Sequence, residues 1–441
     1  MSGFLLFGIF FLLILLGIPI AISLGVSSVT ILLLNDGLLG LELIGDIMYT
    51  SIGKFTLLAI PFFILTGVIM EHSGISERLI HLADTLVGHY KSGIVFITAI
   101  VAIFFAAISG SGPATVAAIG GILIPALVKG GYTKETSASL VASAGSIGII
   151  IPPSIAFIVF AVVAGDQISI SIGRLFIAGI IPGLLLGLAL ILAAIFVRYF
   201  NDKKKKTDTT NKPVKEKANM KEIGKAVLSA FWGLMVPIII LGGIYGGIFT
   251  PTEAAVVSVF YGLFVGFVIY RTLNIKKLYR IFVDAAVQTA VIMFIVSTAS
   301  IFAYIITTER YAQQIGDSLL SISDSTIVIL LIINIILLIA GAFIDAISAF
   351  YIFIPILLPI ILQLDVDPTV FGVFMTVNLA IGLFTPPVGL NLYVASGISG
   401  SSLLSVSKAI LPFLIVSIIV LLLITYFPIF STFLPDLLGV D

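Results

Sequence analysis

Ser109-Gly110-Ser111-Gly112-Pro113 interrupts an apolar stretch in the first half of this chain, and Gly145-Ser146-Ile147-Gly148, followed by Pro152-Pro153, interrupts the next one. The second half has similar interruptions at residues 341–346 and 378–391. Glycine adopts conformations outside the helical region, and proline in a helix interior removes a backbone donor. Each stretch therefore predicts a break between two helical arms.

These breaks recur because the chain is duplicated. When the first half is shifted by 234 positions, Pro125 falls on Pro359, Gly148 on Gly382, and Pro152-Pro153 on Pro386-Pro387. Unwound backbone within a bilayer is tolerated only where it is buried in protein or lines a cavity. Repeated halves with broken helices at corresponding places are typical of secondary transporters.

The composition is that of a polytopic membrane protein. The chain has 441 residues, of which 60% are hydrophobic and 10% charged, and its mean hydropathy is +1.27. The absence of cysteine excludes disulfides and thiolate metal sites, and no phosphate-binding loop motif indicates direct ATP use. The first apolar run, residues 4–16, follows no basic segment and is interpreted as a retained helix.

The apolar runs predict an all-α membrane protein with ten crossings and two hairpins. The crossings are predicted at residues 4–17, 18–34, 57–71, 137–164, 174–199, 230–249, 252–270, 285–306, 369–395 and 409–430, and the hairpins at 92–130 and 326–363. Residues 76–89 and 309–323 predict amphipathic helices at the two membrane interfaces. The pair Glu77-Arg78 matches Glu309-Arg310 at a shift of 232.

The basic residues indicate the orientation. With the N-terminus outside, all of the 22 Lys and Arg residues except Lys54, Arg174 and Arg310 fall on the inner side, whereas the outer segments are acidic. This bias predicts that both termini lie outside. Each half then crosses the membrane five times, and an odd number of crossings inverts the second copy relative to the first.

The first hairpin has a charge-free tip and is interpreted as re-entrant. Two full crossings joined by a tight outer turn are the alternative, and the charges do not separate the two. At the tip, one arm ends in free carbonyls and the other begins with free N–H groups, which carry opposite partial charges. The carbonyls, with the hydroxyls of Ser109, Ser111 and Thr115, suit a small cation, and the N–H end suits a carboxylate.

The second hairpin carries a carboxylate between its apolar arms. An aspartate at such a position costs several kcal/mol unless it is paired or ligates an ion, and neither hairpin interior offers a Lys or Arg. Asp345 therefore has two interpretations. It coordinates a cation or takes part in a proton-linked step, or it caps the arm that begins at Ala346.

The breaks together predict one cation site in each half, with a substrate between the two. The candidate cation ligands are Ser109, Gly110, Ser111, Ser143, Gly145, Ser146, Gly341, Asp345, Asn378, Gly382 and Thr385. The candidate substrate contacts are Gly112, Pro113, Thr115, Pro152, Ser154, Ser348, Pro386, Pro387 and Asn391. Hydroxyls and carbonyls outnumber ionisable groups here, which favours sodium over protons. The alternative is a pair of proline-kinked helices whose polar side chains only satisfy their neighbours.

Over essentially its whole length the chain resembles the DctM-type large membrane subunit of tripartite ATP-independent periplasmic (TRAP) transporters. The resemblance rests on residues 109–120, on 148–154 followed by Gly173-Arg174-Leu175-Phe176-Ile177-Ala178-Gly179-Ile180-Ile181-Pro182-Gly183, and on Thr385-Pro386-Pro387-Val388-Gly389-Leu390-Asn391. Pro113 is a local variation of the family pattern that leaves the cation interpretation intact.

The resemblance implies an elevator-type carrier in a bacterial inner membrane that takes up an organic anion, such as a C4-dicarboxylate or sialic acid, with sodium ions and no other cofactor. It implies two partners, a small four-helix membrane subunit and a periplasmic substrate-binding protein, and neither enzyme activity nor nucleic-acid binding. Residues 1–91 and 230–325 would be scaffold, 92–200 and 326–441 the two halves of a transport domain, and 201–229 a basic cytoplasmic linker.

Two other functions stay open at this stage. A stand-alone sodium/carboxylate symporter of the related elevator class would need no partner subunit. An ion channel would also accommodate inverted repeats and paired hairpins. An intramembrane enzyme is not favoured, because the membrane segments lack a His/Asp/Glu cluster. The sequence does not specify the substrate.

Overall fold

The computed structural model describes residues 2–90, 93–205 and 218–440. Within these ranges the chain forms helices joined by turns and loops, and it forms no strands. The first half contains α1 (Ser2–Leu15), α2 (Ile20–Asp36), α3 (Leu39–Ile52), α4 (Ala59–His72), α5 (Ile75–Val87), α6 (Gly93–Ser109), α7 (Gly112–Lys129), α8 (Lys134–Gly145), α9 (Ile155–Ala164) and α10 (Ile172–Lys205). The second half contains α11 (Met220–Tyr245), α12 (Pro251–Phe264), α13 (Ile275–Thr308), α14 (Tyr311–Leu320), α15 (Thr326–Gly341), α16 (Ala346–Gln363), α17 (Pro368–Gly382), α18 (Leu390–Ser399), α19 (Leu403–Ala409), α20 (Leu411–Tyr426) and α21 (Ile429–Leu438).

The lengths of these helices agree with a membrane protein whose helices are broken. Among the described residues, seven segments are long and apolar enough to span a bilayer: Phe55–His72, Gly112–Lys129, Ile172–Phe200, Met220–Tyr245, Pro251–Ile269, Ile275–Thr308 and Ala346–Gln363. The pair α19 and α20, bent by 53°, makes an eighth. The predicted crossings at 137–164 and 369–395 are each divided into two shorter helices, as their polar breaks indicate.

The repeat predicted from the sequence is present in the helices. The pairs α6 and α15, α7 and α16, α8 and α17, and α9 and α18 begin 233, 234, 234 and 235 residues apart. Both hairpins agree with their predicted ranges to within a residue at each end. Each proline pair occupies the break of its own half, and the Pro152–Pro153 and Pro386–Pro387 peptide bonds are both cis.

The breaks are narrower than the polar stretches that predict them. Residues 342–345 separate the arms of the second hairpin, and residues 383–389 separate α17 from α18. Asn378 therefore lies within α17, and Asn391 lies in the first turn of α18. The helical hydrogen bonds extend into the polar stretch until the prolines prevent them.

Both predicted amphipathic helices are present, but the charged pair matched between them does not mark equivalent positions. Helix α5 follows Gly74 and α14 follows Arg310, both in the left-handed conformation (φ 73° and 56°). The two helices begin 236 residues apart, so the shift of 232 was wrong by one helical turn. Glu77-Arg78 lies inside α5, whereas Glu309-Arg310 precedes α14. Helix α3 was not predicted.

The segment predicted as a linker is partly helical. Helix α10 runs to Lys205, and α11 begins at Met220 with a capping box between Asn219 and Glu222, whose side chains satisfy the free N–H groups of the first turn. Residues 206–217 of the predicted linker lie outside the described residues.

The hairpins and broken helices of the two halves share one core. Helix α7 packs against α18, and α16 packs against α9, so the second arm of each hairpin contacts the broken helix of the other half. The fully buried Phe160 ring of α9 lies 5.7 Å from that of Phe350 in α16 and 5.6 Å from that of Phe371 in α17. Edge-on contacts between rings at these distances add to the stabilisation that burial provides.

Candidate functional site

Three oxygen atoms converge at the tip of the first hairpin. Gly110 adopts the left-handed conformation (φ 60°) that lets the chain turn between α6 and α7. The hydroxyls of Ser109 and Thr115 are 2.8 Å apart, and Thr115 also donates to the Ser111 carbonyl at 2.8 Å. Ser109 Oγ lies 3.2 Å from the same carbonyl oxygen. We refer to Ser109 Oγ, Ser111 O and Thr115 Oγ1 as the tip oxygen cluster.

The break of the first half lies directly against this cluster. A Cβ atom added at Gly148 would lie 2.8 Å from both Ser111 O and Thr115 Oγ1. One added at Gly145 would overlap the Val116 side chain and lie 3.2 Å from the carbonyl oxygen of Gly112, at the start of α7 beside Pro113. The close packing of the break on α7 explains the glycines at these positions.

The second half contributes Asn391 to the same place. Its Nδ2 donates to the carbonyl oxygen of Ala142 at 2.9 Å, and the side chain is fully buried. A Cβ atom added at Gly112 would lie 3.2 Å from Asn391 Oδ1, which has no hydrogen-bond partner among the described residues. A buried acceptor without a donor is costly, so this oxygen is available to a ligand or a water molecule.

A small cavity adjoins the tip oxygen cluster. It measures about 60 Å³ and is lined by Ser109 and Ser111 and, from α4 and α13, by Glu71 and Gln288. That volume holds a few waters or a small hydrated ion. A larger surface groove of about 540 Å³, next to Tyr245, contains no hairpin residue in its lining.

The second hairpin shows the capping geometry for Asp345. Its Oδ1 accepts from the backbone N–H of Ser348 at 3.0 Å, and its Oδ2 accepts from the Ser348 hydroxyl at 2.6 Å. This is the helix-cap alternative from the sequence, and the cation role stays a prediction. The break of this half again meets its own hairpin, since a Cβ atom at Gly382 would overlap the carbonyl group of Gly341.

Four other candidate hydroxyls donate to nearby backbone carbonyls, which agrees with the alternative of proline-kinked helices whose polar side chains satisfy their neighbours. Ser143 Oγ donates to Leu140 O (3.0 Å), Ser146 Oγ to Ser143 O (2.6 Å), Ser154 Oγ to Ile149 O (2.6 Å) and Thr385 Oγ1 to Ile381 O (2.7 Å). These bonds use the hydroxyl hydrogen, and the Ser154 oxygen also accepts from the backbone N–H of Phe157 at 3.3 Å as the N-cap of α9. The structure therefore does not bring these four hydroxyls into the tip oxygen cluster.

Sequence reasoning missed a buried amide network in the second half. Asn378 Nδ2 donates to Asn334 Oδ1 at 2.7 Å, and Asn334 Nδ2 donates to Thr425 Oγ1 at 3.2 Å. All three side chains are at most 2% exposed. The available signal was a lone amide, Asn334, in the otherwise apolar arm Thr326–Gly341.

Comparison with known proteins now places the chain. Residues 7–430 match the family model for the tripartite ATP-independent periplasmic transporter, DctM component. The chain belongs to this family. The C4-dicarboxylate TRAP transporter large permease protein DctM of Vibrio cholerae is 40% identical over 442 residues, which cover 96% of this chain and 95% of that protein.

A second relative is longer than this chain. The isethionate TRAP transporter permease protein DctMQ of Oleidesulfovibrio alaskensis is 46% identical over 425 residues, and the match covers 96% of this chain but only 65% of that protein. The crystal structure of the Alcanivorax borkumensis YdaH transporter has the same fold, with a TM-score of 0.63 over 92% of this chain and 89% of that one, at 14% identity. Membership of the DctM family confirms a multi-span membrane transport protein rather than an enzyme.

Proposed function

We propose that this chain is the large membrane subunit of a sodium-coupled TRAP transporter in a bacterial inner membrane. It takes up a small organic anion that a periplasmic substrate-binding protein delivers, and it works with a small four-helix membrane subunit. The family name itself describes a tripartite, periplasmic system. The relatives are named for a C4-dicarboxylate and for isethionate, a sulfonate, so a small organic anion is the shared substrate class.

The observation that carries the proposal is the meeting of three features at the first hairpin. The tip oxygen cluster offers the hydroxyl and carbonyl ligands that sodium takes. The first turn of α7 offers free N–H groups at the positive end of a helix. Asn391 adds a buried amide from the other half. A cation and an anion held this close stabilise each other, and mutual stabilisation is the physical basis of coupling.

The second half supplies the second proposed cation site. Its ligands are Asp345, the terminal carbonyls of α15 around Gly341, and residues of α17 and the following break, among them Asn378. The transport domain consists of the hairpins and the broken helices, which pack on one another. The remaining crossings form a scaffold beside which this domain moves, and both termini lie on the periplasmic side.

The test is uptake of labelled C4-dicarboxylate, isethionate or sialic acid into proteoliposomes with an imposed sodium gradient. The small subunit and the binding protein are added separately and together. Uptake that needs all three proteins and sodium is the expected result. Uptake by this chain alone would favour the stand-alone symporter, and flux that neither saturates nor responds to sodium would favour a channel.

A further inference from the structure

We propose that Asn334 is a positioning residue, which holds the Asn378 amide with its carbonyl oxygen free for a cation. The inference rests on the proposed sodium coupling and assigns a role to a residue outside the predicted ligand set. Asn334 lies in the first arm of the second hairpin and Asn378 in α17, and they are 1% and 0% exposed. A buried side-chain pair of this kind fixes the orientation of both amides.

The direction of the hydrogen bonds follows from the carbonyl oxygen of Leu330, which can only accept, and the hydroxyl of Thr425 is compatible with the same direction. Thr425 donates its hydroxyl hydrogen to Leu421 O at 2.9 Å, so its oxygen is left to accept from Asn334 Nδ2 at 3.2 Å. The second hydrogen of Asn334 Nδ2 goes to Leu330 O at 3.0 Å. A flipped Asn334 amide would set its oxygen against the Leu330 carbonyl oxygen, and two acceptors cannot bond to each other, so Asn334 presents Nδ2 to Leu330 and Oδ1 to Asn378.

The orientation of Asn334 determines that of the Asn378 amide. Because Asn334 presents Oδ1, Asn378 must present Nδ2 to it, at 2.7 Å. Asn378 Oδ1 is then buried and has no partner among the described residues. An unpaired buried carbonyl oxygen is costly, and an oxygen-seeking cation is a ligand that would satisfy it.

The position of the pair on the two helices relates it to the proposed second site. Asn378 and Gly382 are four residues apart and lie on the same face of α17. Asn334 and Gly341 are two helical turns apart on α15. The Gly341 carbonyl group packs on Gly382, so the amide pair and the carbonyl end of α15 lie along one contact between these helices.

The first half has no counterpart to this network. At the repeat shift of 234, Asn334 corresponds to Ile100 and Asn378 to Ala144. The amide pair is therefore not part of the helix packing that the two halves have in common. A role specific to the second half explains its presence.

The test compares Asn334→Leu with the wild type in the complete reconstituted transporter. The half-saturating sodium concentration is expected to rise about tenfold, because the Asn378 oxygen is no longer held in place by the hydrogen bond to Asn334. The substrate KM at saturating sodium is expected to change less than about twofold. The sodium-induced rise in melting temperature, measured against potassium, should shrink in parallel and needs no transport activity.

Three further variants separate positioning from loss of packing. Asn334→Asp keeps one oxygen that accepts from Asn378 and, in the neutral form that a buried carboxyl group favours, donates its O–H to Leu330 O, so no increase in half-saturating sodium is expected. Thr425→Val leaves Asn334 Nδ2 bonded to Leu330 O, so the Asn334 amide keeps its orientation and its bond to Asn378, and this variant serves as the packing control with little expected change. The double variant Asn334→Leu/Asn378→Leu should be no worse than Asn378→Leu, because Asn334 acts only through Asn378.

The outcomes distinguish this inference from the proposed function. Sodium-independent uptake by the wild type would overturn the proposed function. Sodium-dependent wild-type uptake, with an unchanged sodium constant in Asn334→Leu, would overturn the role of Asn334 alone, as would additive effects in the double variant. If Asn334→Leu does not fold, an increased sodium constant in Asn334→Asp would overturn it.

Discussion

The second arms of the two hairpins begin after a residue with extended backbone, but the side chains of these two residues make different contacts. Ser111 and Asp345 correspond at the repeat shift of 234, and each precedes a helix with extended backbone (φ −136° and −73°). Asp345 caps its helix through Oδ1 and accepts the Ser348 hydroxyl through Oδ2, whereas the Ser111 side chain makes no capping bond. Duplication has kept the backbone break and changed the chemistry at its tip.

The same divergence extends to the helices around each tip. In the first half, hydroxyls gather on the hairpin itself and α8 packs closely against the second arm, α7. In the second half, α17 packs closely against the first arm, α15, and an amide pair joins the two helices. Two cation sites built on these tips would be related in position and different in ligands.

The largest expected effect comes from filling the closest contact between a break and its hairpin. Gly382→Ala would place a Cβ atom against the backbone of Gly341, which cannot move aside as a flexible side chain would. We expect a loss of about 1–3 kcal/mol in stability, measured as a lower melting temperature in detergent, together with loss of uptake. Gly148→Ala should show a smaller loss, because one of its two nearest atoms is the Thr115 hydroxyl.

A glycine without neighbours provides the control. Gly121 lies in α7 with no atom within 4 Å of an added Cβ, so Gly121→Ala should be neutral or stabilising by about 0.5–1 kcal/mol. If Gly382→Ala and Gly121→Ala melted alike, the close contact between break and hairpin in the second half would be wrong.

The contrast between the halves also shows which features a sequence can predict. The four breaks follow from Gly and Pro, whose effect on the backbone is local, and they lie where the sequence places them to within a few residues. Asn391 reaches the hairpin of the other half, and Asn334 pairs with a residue 44 positions away. Such contacts depend on how distant helices pack, which local patterns do not specify. The charged pair at a shift of 232 misled for a related reason, because Arg78 lies over the ring of Tyr270 whereas Glu309 accepts from Asn35, and the sequence pattern shows neither contact.

An effect of intermediate size is expected from the tip oxygen cluster of the first hairpin. Thr115→Val removes one member of the tip oxygen cluster and keeps the shape of the side chain. If the cluster holds sodium, the half-saturating sodium concentration should rise about tenfold, the equivalent of roughly 1.4 kcal/mol. Thr115→Ser should restore it. A changed substrate KM with an unaltered sodium constant would instead assign the hydroxyl to the substrate.

The smallest effect tests the difference between Asp345 and Ser111 at the starts of the two second arms. Asp345→Ala removes a capping side chain and should cost about 1 kcal/mol, whereas Ser111→Ala should leave the melting temperature nearly unchanged. Asp345→Asn retains a good capping group, so its stability should stay close to that of the wild type. A rise in half-saturating sodium in this variant would then show that the carboxylate binds a cation as well as capping α16. An unchanged sodium constant would limit Asp345 to the cap, and the second cation site would have to be built from the carbonyls of α15 and the amide of Asn378.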